Sequence, residues 1–274
     1  MVAACRYALF VEVLDVPHNP MAADPDRIEA PPRARRVLPP PSPVGDGKGP
    51  ERLASRKPVH LIGMKGEPAA LIIVDMQNDF LHRDGNFAHI AREHPEARID
   101  LPFLEGTIPY VRRLSGAFRA AGRPVVYIAH VLKSDYSDAA FPYWRLGIEP
   151  KSWNRTHCVE GTWGAEIIDE LKPHEGEHFI VKKGFGGFAN TALDTILRNM
   201  GVTTCVVVGV TTCVCVSNTV RGGVDHNYRM ILVNDAVAEV SRDTHEAELK
   251  TMSRIFADVK TTDDVEALLG TITS

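Results

Sequence analysis

From Pro68 onward the chain alternates two kinds of hydrophobic pattern: short unbroken apolar runs, and longer stretches with apolar residues at helical spacing. The runs at 69–75 (AALIIVD), 124–130, 178–182, 203–209 and 229–234, with a weaker one near 255–259, predict strands buried on both faces. Between them, 108–121, closed by Gly122 and Pro124, then 165–171, 191–199, 213–227 and 244–255 predict helices. Strands alternating with helices predict an α/β protein: a three-layer α/β/α, Rossmann-like fold around a central, mostly parallel six-stranded sheet. Right-handed crossovers then place helices on both faces. Two connections are long. One runs from Leu81 to Leu104, the other from Lys133 to Gly161 with Tyr136, Tyr143, Trp144, Trp153 and His157. Long connections in a folded domain are commonly functional, so these aromatics either wall a pocket or anchor their loops, with equal weight to each.

The first 66 residues do not share the pattern. A short apolar patch (YALFVEVLDV) precedes a Pro- and Arg-rich run with no hydrophobic period, which predicts a flexible extension over 1–66 and a folded domain over 67–274. Glu12 and Asp15 within the patch argue against a signal peptide, and Met64, just before the first strand, is an alternative start.

Composition narrows the class. With 274 residues, 44% hydrophobic and 24% charged, the chain has material for one substantial core. A net charge of -4 supplies no basic field for nucleic acid or anionic membrane, and no apolar run reaches the length of a bilayer span. Five cysteines, an odd number with Cys205, Cys213 and Cys215 clustered, suit a reducing, cytoplasmic setting better than a disulfide framework. Cys213 and Cys215 lie about 200° apart around a helix, so they cannot share a metal ion there.

Candidate chemistry sits at the ends of the apolar runs. In a parallel sheet the carboxyl ends share one edge, so Asp75, Lys182 and Cys215 can converge there. Cys215 follows a tight Gly209–Thr212 turn and opens a helix, whose positive end favours thiolate and whose free N–H groups can hold an oxyanion. Taken singly, each has a plainer role: a packed small residue, a capping carboxylate, a surface lysine.

Three segments, IIVDMQNDF, KKGFGGFANTALDTIL and GVTTCVCVSNTVRGG, resemble the isochorismatase-like cysteine hydrolases from about residue 67 to the C-terminus, in the family's order and spacing. The resemblance implies a catalytic triad of Asp75, Lys182 and Cys215, an oxyanion hole from the N–H groups of Thr211 and Cys215, and a cis Val210–Thr211 peptide. Family spacing counted back from Phe188 selects Lys182 over Lys183, and strand alternation turns Lys183 to the other face. Substrate contacts are expected from Asn78, Phe80, Trp144, Trp163, Phe188 and the Thr212 hydroxyl. Gly186 stands where many relatives carry Ser. Some relatives hold zinc with an Asp-x-His pair and a further His; His130 lacks that spacing, so no metal and no cofactor are expected. The implied activity is hydrolysis of a small ureido or carbamoyl amide of the ureidoacrylate kind, by a homo-oligomer, with N-carbamoylsarcosine, biuret or nicotinamide types as alternatives. A non-catalytic binding module of the same fold is the alternative outside enzymes.

Overall fold

The structure, a computed structural model, describes residues 68–140 and 157–270. The readings made for residues 1–66 and for Tyr143, Trp144 and Trp153 lie outside the described residues. Six strands form in the predicted order: β1 (Ala69–Val74), β2 (Val125–His130), β3 (His178–Lys182), β4 (Thr204–Val210), β5 (Arg229–Ala238) and β6 (Asp258–Lys260). They pair as β3-β2-β1-β4-β5-β6, and every pairing is parallel. The sheet is therefore wholly parallel where the sequence predicts mostly parallel.

Chain order runs outward from β1 on both sides, which puts the topological switch between β1 and β4. Crevices at such a switch, beyond the carboxyl ends of the strands, are where open α/β sheets hold ligands. β1 and β4 are buried along their whole length, as strands covered on both faces must be. Alternate residues feed two cores. Leu71, Ile73, Tyr127, Val206 and Val208 pack with Val111, Leu114 and Phe118 of helix α4 (Ile108–Ala120) and Val265 and Leu269 of the terminal helix. Ile72, Val74, Ile128, Cys205 and Val207 pack on the opposite face with Leu193, Leu197, Val216 and Val220.

Several elements depart from the sequence reading. The connection 81–104 is not a bare loop: α1 (Asn78–Leu81), α2 (Asn86–Glu93) and α3 (Leu101–Glu105) occupy the region. The helix expected over 165–171 is absent. Two single 3-10 turns, Trp163–Ala165 and Asp169–Leu171, flank an extended Ile167 that bridges to Gln77. Its backbone bonds go sideways to the end of β1, Asn78 N–H to Glu166 O at 2.9 Å and Ile168 N–H to Met76 O at 3.0 Å, instead of closing a helix. Beyond β3, α5 (Leu193–Asn199) packs on the second core, and α6 (Ser217–Asp225) is preceded by a π-helical turn, Thr212–Val216, where the sequence predicts uniform α-helix. Helix α7 (Arg242–Thr251) covers that turn, and α8 (Thr262–Gly270), not predicted, is capped by Asp235.

β5 carries a register jog: Val207 pairs with Leu232, but Gly209 pairs with Val237 and Val210 with Ala238. Such a bulge extends and re-aims the strand. Its end therefore rises beside the turn that follows β4. Gly209, at φ 114°, passes so close to Val74 O that a β-carbon there would collide with it.

Candidate active site

β1 ends at Val74, and strand alternation would send the next side chain towards α4 with Ile73. Asp75 instead adopts φ 51°, in the left-handed region that costs a non-glycine residue about 1–3 kcal/mol. Its N–H donates to Ile128 O at 2.8 Å and its C=O accepts from Gln77 N–H at 2.8 Å, so both backbone groups are held. The turn delivers the carboxylate to the face carrying Lys182. That lysine ends β3, opposite His130 in register, and is fully buried. Its ammonium meets three acceptors, one per proton: Asp75 Oδ2 at 2.8 Å, Cys215 Sγ at 3.2 Å and Gly184 O at 3.1 Å. Lys183 points away, to Val131 O at 2.7 Å and Asp138 Oδ2 at 2.7 Å. Cys215 stands in the π turn after β4, buried against Lys182. Asp75, Lys182 and Cys215, from three strand ends far apart in sequence, thus meet.

Burial governs their protonation. It pushes the Cys215 thiol up, reinforced by the Asp75 carboxylate and opposed by Lys182. Lys182 opposes that rise, in the direction the sequence reading expects of it, while burial acts the other way and is the larger influence. Burial also raises Asp75, with Lys182 and the thiol opposing. Lys182 is raised despite its burial, because Asp75 and Cys215 face it. The site holds the close Asp75–Lys182 pair beside the Cys215 sulfur. Such an arrangement can transfer a proton from sulfur to carboxylate while the ammonium keeps the local charge balanced.

The remaining expected site residues are distributed unevenly. The Val210–Thr211 peptide is cis, and Thr211 lies just before the π turn, with its carbonyl accepting from Val214 N–H and Val216 N–H. The Thr212 hydroxyl is fully buried and bonded to His245 Nδ1 at 2.9 Å. Asn78 uses its side-chain amide to hold Trp163 O at 2.8 Å. Trp163 itself is 46% exposed and packs edge-on against His82. Phe80 is packed between Phe87 and His157, and Phe188 sits beneath α6 against Gly222, Gly223 and Tyr228. Packing is what the structure gives Phe80 and Phe188. Gly186 approaches Asn218 O, and a β-carbon there would be tight against that carbonyl.

Residues the sequence did not single out hold the site in shape. Gln77, wholly buried, donates to His130 O at 2.9 Å and Ala165 O at 2.8 Å and accepts from His130 N–H at 2.9 Å, tying the ends of β1 and β2 to the 163–165 turn. Polar residues packed behind an apolar strand, in MQND, were the available signal. Among the described residues, Asp79, His157 and Cys158 bring possible metal-ligating atoms within 4.8 Å of one another. The Asp79 oxygens already accept from Cys158 N–H at 2.6 Å and Asn86 N–H at 3.2 Å, and Asn86 meets His157 Nδ1 at 2.8 Å. These bonds describe a tie between loops. His130, at the end of β2, is kept neutral by burial, its pKa pushed down to about 2.

Comparison with known proteins covers the same region. The family model described as the isochorismatase domain matches residues 69–264. A ureidoacrylate amidohydrolase, RutB, from Agrobacterium fabrum is 29% identical over 213 residues, spanning 74% of this chain and 90% of its own length. Among solved structures, a cysteine hydrolase from Pseudomonas syringae pv. phaseolicola superposes with a TM-score of 0.64 at 27% identity, covering 75% of this chain and 93% of that one. An N-carbamoylsarcosine amidase from Thermoplasma acidophilum gives a TM-score of 0.56 at 31% identity, with 71% and 96% covered.

Proposed function

Since this chain belongs to the isochorismatase family, we propose that it is a cysteine-dependent amidohydrolase that cleaves a carbon–nitrogen bond, other than a peptide bond, in a small ureido or carbamoyl amide. The observation that carries the reading is the buried contact of Lys182 with both Asp75 and Cys215 at 2.8 and 3.2 Å. A packed core has no use for a fully buried lysine unless its charge is paired, and pairing it with a carboxylate and a thiol creates a nucleophile with its own base.

The steps follow from the resting protonation. Asp75 removes the Cys215 proton as sulfur attacks the carbonyl or ureido carbon, forming the carbon–sulfur bond and an oxyanion. The backbone N–H groups of Thr211 and Cys215 receive that oxyanion. Collapse breaks the carbon–nitrogen bond, and protonated Asp75 gives its proton to the departing nitrogen. A thioester remains, a thiocarbamate when sulfur has attacked a ureido carbon and the acyl group left on it is a carbamoyl. Water then attacks it with Asp75 again as base, releasing the acid and restoring the thiol. Lys182 stays charged throughout and keeps Asp75 from carrying an isolated charge in a buried site.

The ureido and carbamoyl class is favoured by the likeness to a ureidoacrylate amidohydrolase and an N-carbamoylsarcosine amidase. The test is ammonia release by the purified protein from ureidoacrylate, N-carbamoylsarcosine, biuret and nicotinamide, beside Cys215→Ala. Turnover of one ureido or carbamoyl compound that vanishes in Cys215→Ala supports the reading. Turnover that survives the substitution, or that is confined to nicotinamide, overturns it.

A further inference from the structure

The turn that carries the nucleophile is gripped from outside the Asp75, Lys182 and Cys215 group. Glu239, the residue after β5, is buried, and its carboxylate accepts two backbone N–H groups. Oε2 takes Cys213 N–H at 2.7 Å and Oε1 takes Val240 N–H at 2.9 Å. The β5 register jog that pairs Val210 with Ala238 is what brings Glu239 level with Thr211 and the π turn. A second grip comes from α7: the Thr212 hydroxyl meets His245 Nδ1 at 2.9 Å, and the Cys213 thiol reaches Thr244 O at 3.3 Å. Two consecutive residues, Thr212 and Cys213, are therefore clamped between Thr211 and Cys215, whose N–H groups are the oxyanion donors in the proposed reaction.

We propose that Glu239 is a positioning residue that, with the Thr212–His245 bond as a second support, sets the direction of the Thr211 and Cys215 N–H groups towards the developing oxyanion. The inference rests on the hydrolytic reading above. A π turn is wider than an α-helical one and recurs at functional sites, so its first N–H groups need an external acceptor to fix their aim. Glu239 supplies that acceptor from just beyond the end of β5. Hydrogen bonds to a charged acceptor are shorter and stronger than neutral ones, which suits a carboxylate to this task better than an amide.

The experiment separates oxyanion positioning from nucleophile competence. Iodoacetamide alkylates sulfur by displacement at a saturated carbon, so no oxyanion forms, whereas amide hydrolysis needs one. Glu239→Ala, Glu239→Gln and Thr212→Val are compared with wild type for kcat and KM on the best amide, for the alkylation rate of Cys215 against pH, and for Tm. The expected result is a kcat loss of about 10²-fold in Glu239→Ala, the scale of losing one oxyanion donor, and about 10-fold in Glu239→Gln, which keeps one acceptor. Thr212→Val loses less, KM stays within about threefold and the alkylation profile does not move. If Glu239→Ala fails to fold, Glu239→Gln carries the comparison. Unchanged kcat in a wild-type-active background, or alkylation falling in step with kcat, overturns the proposal. Absence of any hydrolysis by wild type overturns the hydrolytic reading instead, and with it the proposal's premise.

Discussion

At the scale of single residues, what distinguishes this site is that three ionisable side chains, Asp75, Lys182 and Cys215, are buried against one another. Burial raises Cys215 above an ordinary thiol and also raises Asp75 above an ordinary carboxylate. Two outcomes follow. Alkylation of Cys215 by iodoacetamide should climb only above pH 9, the ordinary thiol value, with no thiolate plateau near neutrality; a plateau at pH 7 would contradict a resting thiol. Hydrolysis should fall on the acid side as Asp75 takes up a proton, with its midpoint above 3.8, the ordinary value for aspartate. Cys215→Ala should lower kcat by at least about 10³-fold, measured as ammonia release, since groups acting as a unit lose nearly everything when one is removed. That Asp75, Lys182 and Cys215 come together was legible in the sequence because Asp75 and Lys182 close apolar runs and Cys215 follows the turn after a third, ends that a parallel sheet puts on one edge. Their protonation was not, because it depends on how completely other elements cover them.

At the scale of elements, the site depends on how closely β1 and β4 run together and on the ties beyond their ends. Gly209→Ala forces a β-carbon against Val74 O at a positive φ, so it should destabilise the fold by about 2–4 kcal/mol in urea titration and lower kcat as Asp75 and Cys215 are pushed apart. Gln77→Leu removes three buried hydrogen bonds and leaves the His130 and Ala165 backbone groups unsatisfied; about 2–4 kcal/mol of stability should be lost. The strand runs were readable because β-branched, uninterrupted apolar stretches bounded by glycine and proline have few other solutions. The 165–171 segment was misread because its apolar residues fit a helical spacing, while its backbone groups found partners at the end of β1. Local pattern cannot report that competition.

At the scale of the molecule, an all-parallel sheet covered on both faces brings two histidines into the interior beside the site. Burial holds His130 and His157 neutral, at about 2 and about 4, well below the ordinary 6.5. The unfolded chain therefore binds more protons than the folded one below pH 6.5, and the stability present above that value drains away as pH falls towards those depressed values. The slope is about 1.4 kcal/mol per pH unit for each histidine as an upper bound. Urea midpoints should fall steadily between pH 6.5 and 5, and His130→Gln should flatten that fall; an unchanged slope in His130→Gln would exclude His130 as a source. Alternation of strand and helix, the order of strands along the chain and the residues at the strand ends were determined by the sequence alone, because periodicity and breakers act over a few residues. The outward winding from β1, the jog that lifts Glu239 to the turn before Cys215, the Thr212–His245 bond and the burial that raises the Cys215 thiol were decided only by tertiary structure. Each joins segments tens of residues apart, and the energy of a buried charge or hydrogen bond depends on everything that surrounds it.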